Sequence, residues 1–143
     1  MSAELLHATA VAINGEGVLL SGQSGSGKSD LALRLIDRGA VLISDDGVLV
    51  EPGDPHPTLR TAPNIAGMIE MRGVGIVKMP FADGVPLRLV VDMGDAPKRL
   101  PPDNPTTSIA GHDITCLKLL SFEASAPLKV EHALRIALGS QIA

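Results

Sequence analysis

Two apolar runs, ATAVAI at residues 8–13 and GVLLSG at 17–22, are separated by the turn sequence NGEG. Asn14-Gly15 is the residue pair that a two-residue hairpin turn selects, so an antiparallel hairpin is predicted here. The spacing then changes period. In KSDLALRLIDRG, 28–39, Leu31, Ala32, Leu35 and Ile36 fall on one helical face, Arg34, Asp37 and Arg38 lie elsewhere, and Gly39 stands where a C-terminal cap belongs. AVLISDD, 40–46, reads as a buried strand ending in two acids, and EPGDPHP, 51–57, as a turn-rich excursion. MIEMRGVGIVKM, 68–79, and PLRLVVDM, 86–93, read as strands. DMGDAPKRLPPDNP, 92–105, reads as a Pro-rich loop, and PLKVEHALRIALG, 127–139, as a closing helix with Pro127 in its first turn and Gly139 after it. The alternation of strand and helix predicts an α/β fold, and the early hairpin makes its sheet mixed. There is no internal repeat and no low-complexity segment.

Composition narrows this. With 143 residues the chain is long enough for one domain with a core, expected over 1–143, and short for two. Phe81 and Phe122 are its only aromatic residues, so the core must be aliphatic and the base-stacking surfaces of nucleic-acid binders are missing. The net charge of −4 also argues against nucleic acid as a partner. Cys116 is the only cysteine, which excludes an internal disulfide, fits a reducing cytosol, and leaves a small buried apolar residue as its plainest role. The start, MSAELLHATAVAI, shows neither a basic n-region nor a cleavage site, and no apolar run approaches a membrane span. A cytoplasmic protein with no membrane partner is the expectation.

The chemistry begins at Gly22-Gln23-Ser24-Gly25-Ser26-Gly27-Lys28-Ser29, which matches the phosphate-binding pattern Gly-x-x-x-x-Gly-Lys-Ser/Thr between a strand and an amphipathic helix. Glycines let the backbone turn its N–H groups onto phosphate oxygens, and the helix N-terminus adds its dipole. Lys28 is placed to hold the β- and γ-phosphates and Ser29 to ligate Mg²⁺. Asp45-Asp46 ends the next strand, where a carboxylate orients metal or nucleophile; a solvated SDDG turn explains the same residues equally well.

The chain resembles the catalytic domain of HPr kinase/phosphorylase, from His7 to about Arg99 and more weakly beyond. The likeness lies in LLHATAVAINGEGVLLSGQSGSGKSDLALRLIDRGAVLISDD, in MIEMRGVGI, and in the RLP after the last of these strands. It is nearest the short, single-domain alphaproteobacterial form, without an N-terminal regulatory domain. The resemblance implies a P-loop kinase domain of the HPr kinase/PEP carboxykinase-like type, a mixed β-sheet with flanking helices. It implies an ATP- and Mg²⁺-dependent serine kinase acting on the phosphocarrier HPr in phosphotransferase-system regulation, and a homo-oligomer, since the family forms hexamers. His7 takes the position of a catalytic histidine, Asp30 that of the acid after the P-loop serine, Asp46 that of the catalytic base, and Glu70 that of a metal ligand beside Ser29. Arg72 falls within the family's Ile-Glu-x-Arg-Gly-x-Gly-Ile signature, and Arg99 is the candidate for a catalytic arginine. Lys28, Arg72 and Arg99 would then stabilise the transferring phosphoryl group. The family's Pro-Val-Arg-Pro-Gly-Arg-type run has no counterpart in CLKLLSFEASAPLKVEHAL, which argues against phosphorolysis of phospho-HPr.

Ordinary explanations stand beside these roles. Read as one strand, 68–79 puts Glu70 and Arg72 on one face, which a cross-strand ion pair also explains, and Gly73 and Gly75 would leave that strand bare for close approach. His7 suits a structural histidine, Asp30 suits the helix dipole, and Lys98-Arg99 is either a phosphate clamp or a solvated loop pair. His56, His112 and His132 lack metal-like spacing. A small-metabolite kinase and a nucleotide-binding sensor without transfer activity are the rival functions.

Overall fold

The first hairpin forms as its turn residues require: Asn14 and Gly15 both take left-handed backbone, with φ of 51° and 79°. The structure, a computed structural model, describes residues 3–94, 99 and 105–139. In chain order the strands are β1 (Glu4–Leu6), β2 (Thr9–Ile13), β3 (Glu16–Ser21), β4 (Val41–Ser44), β5 (Val48–Glu51), β6 (Thr58–Thr61), β7 (Met68–Met71), β8 (Gly75–Lys78), β9 (Val85–Asp92), β10 (Thr106–Ile109) and β11 (His112–Lys118). The helices are α1 (Lys28–Asp37) and α2 (Ala126–Ala137), with a short 3-10 turn at Pro63–Ile65.

Nine strands make one mixed sheet in the order β1-β5-β6-β9-β3-β2-β4, and β11 with its hairpin mate β10 joins at β9. β9 is the organising strand. It runs parallel to β3 from Leu87 to Asp92, and on its other edge takes β6 antiparallel at Val85–Pro86 and β11 parallel at Val90–Asp92. The strand carrying the Gly-rich loop at its end is therefore central, and the loop emerges beside the C-terminal ends of β9 and β11.

Alternation along the strands sorts the core into two layers. Val11, Val18, Leu20, Leu89 and Val91 pack against Leu31, Ala32 and Leu35 of α1, Val130 and Leu134 of α2, and Ile69 of β7. On the opposite face Ala10, Ala12, Leu19 and Val90 meet Val48, Val50, Leu59 and Ile114. Both helices thus share one apolar layer, and the outer strands of the same sheet supply the other. The small side chains Ala8, Ala10 and Ala12, all nearly inaccessible, suit that close approach. The mixed sheet and flanking helices expected from the sequence are present.

Two expectations change, and a third lies largely outside the described residues. Residues 68–79 are not one strand but the hairpin β7–β8, paired Met68 with Lys78 through Met71 with Gly75. Gly73 and Gly75, at φ of 86° and 116°, turn the chain there, so Arg72 sits in the turn and not on a strand face shared with Glu70. Strands β1, β5, β6, β10 and β11 are also additions; each is short or mixes hydroxyl and charged residues, and pairing with β9 and its neighbours decides them. Of the Pro-rich stretch 92–105, Lys98 and residues 95–97 and 100–104 lie outside the described residues.

Gly17 marks a tight backbone contact between strands. A Cβ there would lie 2.5 Å from Pro86 O and 2.8 Å from Leu59 Cδ1, at the register shift between β3 and β9. Gly17→Ala is expected to destabilise the fold by about 1–3 kcal/mol, the usual cost of overpacking, read as a lower urea midpoint at unchanged slope.

Candidate active site

The loop after β3 is shaped by glycine. Gly25 and Gly27 have φ of 84° and 95°, and a Cβ on Gly22 would lie 2.6 Å from Ser26 Oγ. Helix α1 starts directly from Gly27, whose carbonyl accepts from the Leu31 N–H at 2.9 Å. Lys28, almost wholly buried, donates to Gly22 O at 2.8 Å and Gln23 O at 3.3 Å, so its ammonium lies inside the loop. Ser26 Oγ is buried with no hydrogen-bond partner. An inward ammonium, a positive helix end and a buried unpaired hydroxyl are the features of a loop that fits phosphate oxygens.

Beside it, Asp45 is buried and fully engaged. Its Oδ1 accepts from Ser29 Oγ at 2.6 Å and from Thr9 Oγ1 at 3.1 Å, and its Oδ2 accepts from the Glu70 N–H at 3.1 Å. Thr9 Oγ1 also accepts from the Asp46 N–H at 3.1 Å. Asp46 itself is in the left-handed region, φ 55°, with its side chain exposed. Ser44 Oγ closes the turn by donating to Gly47 O and accepting from the Ala62 N–H at 3.2 Å. One acid is thus fixed by hydrogen bonds and the next is presented to solvent.

A cleft of about 610 Å³ gathers Ser24, Gly25, Gly27, Lys28, Ser29, Asp45, Asp46, Glu70, Arg72 and Phe122 along its walls. That is an ordinary size for a small-molecule site. Gly22, Gln23 and Ser26 complete the loop behind this lining. Glu70 and Arg72, expected to share a strand face, share the cleft instead, one from the end of β7 and one from the turn. His7 is exposed in the bend between β1 and β2, and Arg99 is exposed; neither is among the described residues that line the cleft. Asp30 is exposed and pairs with Arg34 at 3.0 Å, one helical turn on. Cys116 does not line the cleft; burial first, and the charge of Asp92 second, push its thiol up, which disfavours a thiolate nucleophile. Among the described residues no three His, Cys, Asp or Glu side chains are assembled as a metal cage. Ser29 Oγ, the two aspartates and Glu70 are nonetheless hard oxygen donors beside a phosphate loop, which suits Mg²⁺, an ion that takes one or two carboxylates and completes its shell with phosphate and water.

Two residues escaped the sequence reading. Thr9 was the single polar residue within ATAVAI, a signal visible but without meaning until β2 was placed next to β4. Ser121 donates to Ser26 O from the far end of the chain, a contact that spacing cannot reveal.

Residues 1–119 match the family of the HPr Serine kinase C-terminal domain. Among curated relatives, an HPr kinase/phosphorylase of Burkholderia lata is 35% identical over 122 residues, covering 77% of this chain and 38% of the relative. One from Lachnoclostridium phytofermentans is 42% identical over 81 residues, covering 56% of this chain and 26% of the relative. The chain thus spans well under half the length of the curated relatives it matches. The solved structure of the Hpr(Ser) kinase/phosphatase from Coxiella burnetii superposes with a TM-score of 0.78 at 25% identity, covering 93% of this chain and 95% of that one.

The two aspartates should separate by stability. Asp45→Asn puts an NH₂ group among three donors, and the Glu70 N–H cannot rotate away; a loss of about 1–3 kcal/mol is expected in urea unfolding. Asp46→Asn, at an exposed side chain, should stay within about 0.5 kcal/mol of the parent.

Proposed function

We propose, from the premise that this chain belongs to the HPr Serine kinase C-terminal domain family, that it transfers the γ-phosphoryl group of ATP to a serine hydroxyl of an HPr-type phosphocarrier protein. The observation that carries this is the exposed Asp46 lining the same cleft as Lys28 and Ser29. Phosphoryl transfer requires such an arrangement: a polyphosphate held on one side, and on the other a base facing the incoming hydroxyl.

The steps follow from the residues. The loop N–H groups of 22–29 take the phosphate oxygens, and Lys28 exchanges its loop carbonyls for them. Ser29 and Glu70, with Asp45 behind Ser29, would hold Mg²⁺, whose charge offsets that of the phosphates. Asp46 accepts the proton of the acceptor serine as its oxygen bonds to the γ-phosphorus and the bond to the ADP oxygen breaks. Arg72, exposed in the β7–β8 turn, supplies positive charge to the equatorial oxygens. Thr9 keeps Asp46 in place through its backbone. The cleft charges assigned to transfer are Lys28 and Arg72; His7 and Arg99 have no part in this scheme as the described residues stand. A cytoplasmic setting belongs to the same proposal, and among the described residues no helix is long and apolar enough to cross a membrane.

Purified chain with labelled ATP, Mg²⁺ and HPr, with and without the regulatory serine, tests the reading. Labelling that requires the serine supports it. ATP binding without transfer would favour a sensor, and transfer to a small molecule alone would favour a metabolite kinase. Lys28→Ala is expected to abolish labelling, with an unfolding cost of no more than about 1–3 kcal/mol for the unpaired Gly22 and Gln23 carbonyls. Asp46→Asn should lower kcat by roughly 10²–10⁴-fold. The opposite reaction, inorganic phosphate attacking phospho-HPr to release pyrophosphate, is expected to be much slower than labelling. It must hold a further anion, and Lys28 and Arg72 are the cations that line the cleft among the described residues.

A further inference from the structure

Phe122 is one of two aromatic residues in the chain and is 73% exposed, an unfavourable place for a large apolar ring unless something covers it. It is not on a loose loop. Leu119 and Ser121 before it are buried, and Ser121 Oγ donates to Ser26 O within the phosphate loop. Arg34 of α1 donates to the carbonyls on both sides, Ser121 O and, at 3.1 Å, Glu123 O. The ring edge lies over Gly27: a Cβ on that residue would be 3.1 Å from Phe122 Cε1 and Cζ, so a side chain there would push the ring away. An aromatic ring is thereby fixed on the rim of the phosphate loop, lining the same cleft.

We infer that Phe122 is the platform on which the base of the phosphoryl donor stacks, so that the site prefers a nucleoside triphosphate to a polyphosphate that lacks a base. The inference rests on the reading of the loop as a triphosphate site; it does not depend on HPr as acceptor. A donor whose phosphates lie on 24–29 has its nucleoside attached at one end of the phosphate chain, and the apolar π-face beside Gly27 is where a planar base loses water to most effect. Stacking reads the face of a base and not its edge, so adenine and guanine should be accepted almost alike. Arg34 acts as the positioning residue, holding the backbone that carries the ring.

The test is calorimetry on the full chain with Mg²⁺ and, in turn, ATP, GTP and inorganic tripolyphosphate. The expected result is similar affinity for ATP and GTP, with tripolyphosphate bound roughly tenfold more weakly. Phe122→Ala should weaken ATP and GTP by roughly tenfold and tripolyphosphate by less than about twofold. Phe122→Trp should retain ATP affinity, whereas Phe122→Leu, apolar but without a π-face, should resemble the alanine variant. The inference is overturned if Phe122→Ala binds ATP as the parent does, if it loses ATP and tripolyphosphate equally, or if leucine serves as well as phenylalanine. It is also overturned if Phe122→Ala raises KM for HPr at unchanged ATP affinity, which would make the ring a contact for the protein substrate. A parent chain that shows the expected affinities but never labels HPr would sink the kinase reading and leave the base platform standing.

Discussion

Everything at this site is referred to one buried carboxylate. Taking Asp45 out of water is costly unless its oxygens are hydrogen-bonded, and three donors from three separate elements satisfy them: Ser29 of α1, Thr9 of β2 and the Glu70 N–H of β7. The requirement works in both directions. The acid is tolerable only if the three elements meet, and once they meet, the hydroxyl of Ser29, the exposed Asp46 and the side chain of Glu70 have fixed relative places. The left-handed backbone of Asp46 costs free energy for a residue with a Cβ, and the Thr9 bond to its N–H together with the Ser44 bonds around the turn offset that cost. The two adjacent acids therefore differ in kind. One is part of the framework and the other is available for chemistry.

The phosphate loop is arranged on the same economy of partners. Its lysine satisfies two of the loop's own carbonyls, so the buried ammonium is never without acceptors. In the proposed function, incoming phosphate oxygens would replace carbonyl oxygens as the acceptors of the same charge, an exchange of charge-assisted bonds in place of a desolvation from water. Glycine at 22, 25 and 27 is what lets the loop close this tightly, the last because Ser121 and Phe122 occupy the space its side chain would need.

Much of this was legible in the sequence, for local reasons. The Asn14-Gly15 turn, the apolar face of α1, the glycine cap after it, and the loop with its lysine and serine are all encoded within a few residues, and each appears where the spacing put it. What was not legible depended on long-range pairing. The strands at 58–61 and 112–118 have weak patterns of their own and pair directly with β9, while those at 48–51 and 106–109 pair in turn with them. The stretch 68–79 is apolar and β-branched enough to suggest one strand, but its glycines, first assigned to close approach, act as turn residues. Thr9 could be seen as an odd hydroxyl in an apolar strand, and its role required knowing that Asp45 lies across from it. Family resemblance gave Asp46 as the base, with Glu70 and Arg72 near it; it did not give Asp45 its part in the division of labour.

The β7–β8 hairpin shows why that division matters. It pairs with no strand of the main sheet, so ladder hydrogen bonds do not fix it there. Its attachments are Ile69 in the apolar layer of the helices, with Met71, Val77 and Met79 packed against that layer, and the Glu70 N–H on Asp45; the Met79 N–H to Gly67 O bond closes its own base. Its tip is exposed, with Val74 and Ile76 at 74% and 69%. A hairpin outside the main ladder with an exposed tip is the part of a site that moves most cheaply. The Asp45 carboxylate joins that element to the hydroxyl of Ser29, so in the proposed function a cation drawing on Ser29 would act on Asp45, and through it on the strand bearing Glu70 and the turn bearing Arg72. The same hydrogen bonds that make Asp45 tolerable in the interior thus join the loop to the hairpin that carries the charges facing it.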